Sequence, residues 1–175
     1  MKTILKSLSV GLLLLLCSCR PNGDERKNSI IAKWERARAY TKEYLDAAPE
    51  SLFGFKPTPE MRTFGRQMLH LANGSYGLVD AAGEKSPYKF GELEILPLKT
   101  KEEISKVVLD SYDFVISTVK GMNSTRLESR VKIFKWEITV EEAIDKAFEH
   151  QTHHRGQTTV YFRLRGIVPP DEKLW

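Results

Sequence analysis

The chain has 175 residues, a formal net charge of +4, 41% hydrophobic and 29% charged residues, and only two cysteines. That length suits one ordinary domain, and the composition excludes a disordered, fibrous or disulfide-built chain. Basic and acidic residues interleave throughout, so no dense Lys/Arg stripe points to nucleic acid.

The N-terminal stretch reads as a targeting segment. Lys2 and Lys6 form a positive region and Val10 to Leu16 a short apolar one, too short for a spanning helix. Leu16-Cys17-Ser18-Cys19 has the pattern of a bacterial lipobox: an aliphatic residue at −3, a small one at −1, then the acceptor. Cys19 fits that role better than Cys17, which would follow bulky Leu16. The expectation is a signal peptide over residues 1–18, lipidation at Cys19, and a flexible tether over residues 19–28. Arg20 after the cysteine points to the outer membrane. Cleavage removes Lys2, Lys6 and no acid, lowering the charge from +4 to +2. It also leaves no free thiol, so a metal would need His, Asp or Glu.

Four helical segments follow. The first spans Ser29 to Ala48, with Ile30, Trp34, Ala37, Tyr44 and Leu45 near helical spacing, and Pro49 stops it. The second opens on Thr58-Pro59-Glu60, a cap, a first-turn proline and an acid at the dipole's positive end, and ends before Gly83. The third opens on the capping box Thr100-Lys101-Glu102-Glu103 and runs to Lys120. The fourth opens on a second box, Thr139-Val140-Glu141-Glu142, and runs to Arg165, before Gly166 and Pro169-Pro170. Residues 83–99 read as a long loop. Residues 131–138 read as a short extended segment packed across the helices. Four amphipathic helices bury a core best as a bundle, so the fold class is all-α, with the bundle over residues 29–168 and a tail over residues 169–175.

Three of the four histidines crowd the last helix. His150 and His154 are i and i+4, which puts both on one face, in line with Val140, Ala143, Ala147, Tyr161 and Leu164. His153 leaves the helix about 100° away. His70, on the second helix, lies on a small polar stripe with Thr63, Gln67, Asn73 and Gly77, where there is space for solvent or substrate. His70, His150 and His154 together would give three neutral ligands and open positions, the pattern of a catalytic metal. Incidental placement of an i, i+4 His pair is the alternative. A zinc-protease helix is rejected, because Gln151 replaces the required glutamate and the spacing differs.

The segment His150-Gln-Thr-His-His154-Arg155-Gly156-Gln157, with Leu164-Arg165-Gly166 beyond it, resembles the His-x-x-x-His-Arg-Gly-Gln signature of DinB/YfiT-like metalloenzymes. Met68-Leu69-His70-Leu71-Ala72 resembles that family's second helix. The resemblance covers about residues 29–168. It implies an up-down-down-up four-helix bundle, a divalent metal on three histidines, frequent pairing as a homodimer, and thiol-dependent transfer or isomerisation in some members. Gly156 would allow close helix packing, Arg155 an exposed or ion-paired position, and Gln157 either a donor behind a ligand or plain surface.

Two functions compete, beside a structural lipoprotein without metal whose histidines merely fill polar core positions. One is a metal-dependent hydrolase or thiol transferase acting on a small molecule, anchored in the cell envelope by its lipid. The other is a non-catalytic lipoprotein that binds a metal or small ligand. Zinc, nickel, iron and manganese all suit imidazole ligation. Tyr76, Asp80, Glu149 and Tyr161 are the loose candidates for an acid or base. Affinity for the ion is expected to fall below about pH 6.5, where free imidazole protonates.

Overall fold

The computed structural model describes residues 22–97 and 100–173. The signal segment and Cys19 lie outside these residues.

Six helices and one hairpin make up the described chain: α1 (Gly23–Ala47), α2 (Glu50–Phe53), α3 (Phe64–Ala81), α4 (Glu92–Ile95), α5 (Lys101–Gly121), a 3-10 turn (Ser124–Glu128), β1 (Arg130–Ile133), β2 (Trp136–Thr139) and α6 (Val140–Leu164). The four long helices form the bundle. Their directions follow from contacts at its two ends. Arg26 of α1 pairs with Glu141 of α6 at 3.2 Å, so both helices start at one end. Lys101 donates to the Ala48 carbonyl at 2.7 Å, which sets the start of α5 beside the end of α1. The Tyr161 hydroxyl donates to the Arg62 carbonyl at 2.8 Å, so α3 starts where α6 ends. The order is therefore up-down-down-up.

The two down helices, α3 and α5, are consecutive and parallel. An 18-residue helix is about 27 Å long at 1.5 Å per residue, so the chain must cross back over the length of the bundle between them. Residues 82–97 belong to that crossover, and α4 is a single turn within it.

Local sequence explains most helix starts. The hydroxyls of Thr63, Thr100 and Thr139 cap α3, α5 and α6, the last two in full capping boxes, each satisfying backbone donors that the first turn leaves free. The first helix starts earlier than its apolar pattern suggests. Asn22 and Glu25 form a capping box, and residues 23–28, expected as tether, are the opening turns of α1. Conversely, Thr58-Pro59-Glu60 does not start a helix. All three residues are exposed, and no residue from Gly54 to Thr63 is buried, so a helix there would have no face to bury. Helix α3 begins where the core begins, at Phe64.

The core centres on Trp34 and Tyr112, both fully buried, with Trp34 edge-on to Tyr112 and Phe148. A second aromatic group, Phe53, Phe64, Tyr44 and Phe162, closes the end where α6 finishes. Leu164, expected on the buried stripe, is 59% exposed, whereas Tyr161 and Phe162 of the same turn are fully buried. Residues 130–139 form an antiparallel hairpin, with Ile133 paired to Trp136. Ile133 of that hairpin is buried and Val131 and Ile138 pack partly buried against the core, with β1 in contact with both α3 and α6, as expected of a segment lying across the helices, while Phe134 and Trp136 are exposed.

Candidate metal centre

His70, His150 and His154 meet between α3 and α6. Their ligand atoms all lie within 4.8 Å of one another, and the three side chains are partly buried. Ring centroids are 4.3 to 5.0 Å apart. His153 is exposed and outside the group, its Nε2 2.9 Å from the Gln157 amide nitrogen.

Each ring is held from behind. His70 Nδ1 lies 2.6 Å from Glu94 Oε1, so Nδ1–H donates to the carboxylate and Nε2 is left free. His154 Nδ1 sits between two amides, 2.8 Å from Gln67 Nε2 and 3.1 Å from Gln157 Oε1, again leaving Nε2. Gln67 also donates to Gln157 Oε1, which ties the two amides together. His150 owes its position to Gly74: a Cβ there would lie 2.2 Å from the imidazole. Glycine is required because the ring lies directly on the α3 backbone. His150 Nδ1 is buried and has no hydrogen-bond partner.

Electrostatics keep two of the three rings neutral. Burial, then the neighbouring histidines, push His150 and His154 each down to about 4. Both present lone pairs at neutral pH. Burial pulls the Glu94 carboxyl upward, but hydrogen bonds from His70 and Arg62 outweigh it and hold it below its ordinary value. Arg62 completes the chain Arg62–Glu94–His70, 3.2 Å from Glu94. A buried orphan nitrogen, two neutral imidazoles and a third ring backed by a carboxylate suit a divalent ion on histidines.

Beside the cluster, a cleft of about 300 Å³ is lined by Met61, Arg62, Gln67, Gln157, Val160 and Tyr161, with Glu60. The stripe expected to leave space on α3 is instead covered by the crossover. Phe90 fills the place of a Gly77 side chain, and Asn73 accepts from the Gly91 backbone at 2.7 Å. The loose acid and base candidates are engaged elsewhere. Tyr76 is buried against Tyr88 and Phe114. Asp80 accepts from the Ser86 backbone, Glu149 pairs with Lys146, and Tyr161 donates to the Arg62 carbonyl. The acid at the site is Glu94, which sequence reasoning missed because α4 is a single turn, too short to show a periodicity. Arg155 is neither exposed nor ion-paired, and Gly156 packs against nothing: a Cβ there would meet no atom within 4 Å. Gln157 stands behind His154 as an acceptor through Oε1, not as a donor, and its amide nitrogen faces His153.

A family profile described as the DinB superfamily matches residues 33–158. No functionally curated protein matches the chain by sequence. Among solved structures, a DinB-like protein from Bacillus cereus ATCC 10987 superposes with a TM-score of 0.76 at 18% identity, over 83% of this chain and 97% of that one. A second DinB-like protein, YjoA of Bacillus subtilis, gives 0.66 at 16% identity, over 82% and 96%. A third, YfiT from Bacillus subtilis, gives 0.64 at 16% identity over 82% and 89%; it is described as a probable metal-dependent hydrolase with an unusual four-helix bundle topology.

Proposed function

The chain belongs to the DinB superfamily, and from that premise we propose that it is a metal-dependent enzyme, of hydrolase or thiol-transferase type, anchored in the bacterial envelope by a lipid on Cys19. His70, His150 and His154 would hold one divalent ion, and zinc, nickel, iron and manganese remain equal candidates on an all-imidazole set. The observation that carries this reading is the meeting of three imidazoles within 4.8 Å, two of them held by Nδ1 with Nε2 free.

When bound, the ion would supply Lewis acidity, polarising a substrate carbonyl or favouring the deprotonated form of water or a thiol. The protein's own residues do the rest. Glu94 fixes the tautomer and orientation of His70 and raises its basicity. Gln67 and Gln157 fix His154. The cleft bounded by Arg62, Gln157 and Tyr161 admits a small substrate, and Arg62 gives it a cationic wall.

A non-catalytic metal-binding lipoprotein is the second reading. It is favoured by one observation: Glu94, the carboxylate at the cluster, is committed to His70 and Arg62, which leaves no free base there. Metal analysis of the purified chain tests what the readings share. About one ion per chain is expected, lost in His70→Ala, His150→Ala and His154→Ala but kept in His153→Ala. If none of the four changes metal content, both fail. Ester hydrolysis or thiol transfer by the metal-loaded chain, abolished in His150→Ala, then separates enzyme from binder. Anchoring is tested by detergent partitioning, which Cys19→Ala should abolish. A second copy of the chain is the expected partner, to be read from its mass in solution.

A further inference from the structure

On another face of α6, turned toward α1 and α5, Arg155 is only 8% exposed. Its Nη1 donates to Gln151 Oε1 at 3.0 Å, the Thr41 hydroxyl at 3.3 Å and the Ala37 carbonyl at 3.5 Å. Its guanidinium lies 4.4 Å from the centre of the Tyr40 ring. All of these partners are neutral. Nε and Nη2 make no hydrogen bond with any described residue, nor are they among the fully sealed unpaired atoms. A buried guanidinium without a counter-charge is unfavourable unless an anion reaches it.

Arg155 lines a cavity of about 430 Å³ between α1, α6 and the C-terminal residues 168–173, within the size range of small-molecule sites. Tyr40 and Tyr44 supply apolar walls. Burial, then the hydrogen bond to Tyr44, pushes the Tyr40 phenol up to about 12, so it stays a neutral donor. Arg163 is a second lining cation with no ion pair among the described residues. Lys173 at the rim is taken by Glu43. Asp171 and Glu172 also line the rim, yet neither pairs with Arg155. Gly156 lines the same cavity, and it interrupts a 25-residue helix where no neighbour requires a missing side chain. Its effect is to keep the cavity open.

We propose that this cavity binds a small organic anion, whose carboxylate or phosphate engages the Nε–Nη2 edge of Arg155 while a compact apolar body rests on Tyr40 and Tyr44. The same chain shows what that edge of a guanidinium does when an anion reaches it: Arg38 Nε and Nη2 hold the two oxygens of Asp113 at 2.7 and 2.8 Å. Two parallel N–H groups match a planar carboxylate or two phosphate oxygens, a fit that an ammonium cannot give. The site goes beyond the metal reading and does not depend on it, because α6 itself lies between Arg155 and the histidines.

Titration calorimetry of the purified chain with sodium benzoate and with inorganic phosphate, at constant ionic strength, tests the proposal. Saturable binding of at least one probe is expected at millimolar or lower concentration. Gly156→Leu fills the cavity from a position that meets no neighbour. It should weaken binding at least about tenfold while helicity is kept and the melting temperature does not fall. Arg155→Lys retains the charge but not the fork and should weaken binding similarly; if it fails to fold, Gly156→Leu decides. Absence of saturable binding by both probes, as when Asp171 or Glu172 already serves as the anion, overturns the proposal. So does undiminished binding in Gly156→Leu.

Discussion

Helix α6 turns two different chemistries to its two sides. Toward α3 it presents His150 and His154, neutral rings whose free nitrogens suit a cation. Toward α1 and α5 it presents Gln151 and Arg155, tied into a buried network with Tyr112, whose hydroxyl donates to Gln151 Oε1 at 2.8 Å, and with Thr41. Each side also has its glycine. Gly74 on α3 lies directly under the His150 ring, whereas Gly156 on α6 touches nothing. The same residue type therefore answers to close approach on one side and to an open cavity on the other. Position in the bundle, not residue identity, decides which.

Gly74→Ala should break the first side most severely. Its methyl group would sit 2.2 Å from the His150 imidazole, so the ring must leave its place on the α3 backbone. Overpacking of this kind costs about 1–3 kcal/mol, to be read from denaturant unfolding, and the displaced ring should take the metal site with it. A variant with unchanged metal content would show that His150 is not a ligand. Glu94→Gln comes next. It keeps the shape but removes the charge behind His70, and a roughly 10- to 100-fold loss of metal affinity is expected, measured by competition with a chromogenic chelator. An unchanged affinity would mean that the carboxylate only fastens the crossover to α3.

Glu94 also marks where sequence reasoning stops. The bundle was legible because apolar spacing and threonine caps agree at α5 and α6, and the pairing of His150 with His154 follows from i, i+4 spacing alone. His70 was reachable as the one histidine on another helix. Nothing local places Glu94, since its position depends on a crossover that the parallel run of α3 and α5 makes necessary. Gly74 was equally hidden, because a mid-helix glycine carries no sign of what will pack on it. The Thr58-Pro59-Glu60 signal misled for the converse reason: good capping chemistry starts no helix without a face to bury. Asn22 and Glu25 form a readable capping box, overlooked because the residues after it are polar.

A smaller effect concerns protons. His150 and His154, near 4 in the folded chain against about 6.5 when unfolded, bind fewer protons folded than unfolded between those values. Stability of the metal-free chain should therefore fall as pH drops from about 6.5 to about 4 and level off below, as far as these groups are concerned. Glu94, held below its ordinary value, adds a loss of the same sign at the acid end. A His150→Gln, His154→Gln double variant should flatten the upper part of the curve. For the loaded protein, the depressed values move proton competition at these two rings below the 6.5 expected from free imidazole. Metal retention at pH 5.5 checks this, and complete release there would contradict the burial of the rings.

The smallest effect separates the two glycines. Gly156 lies within α6 with open space where a side chain would project, so alanine there loses no contact and strains no dihedral. Helix propensity alone then predicts that Gly156→Ala stabilises the chain by up to about 1 kcal/mol, because glycine gives up more backbone freedom on folding than alanine does. At Gly74 the same propensity gain is present and is overwhelmed by the His150 overlap. Thermal or urea unfolding of the two single variants therefore gives shifts of opposite sign if the two faces are as described. A destabilised Gly156→Ala would mean that α6 is packed closely at this point. That result would remove the cavity beside Arg155 together with the reason for a glycine there.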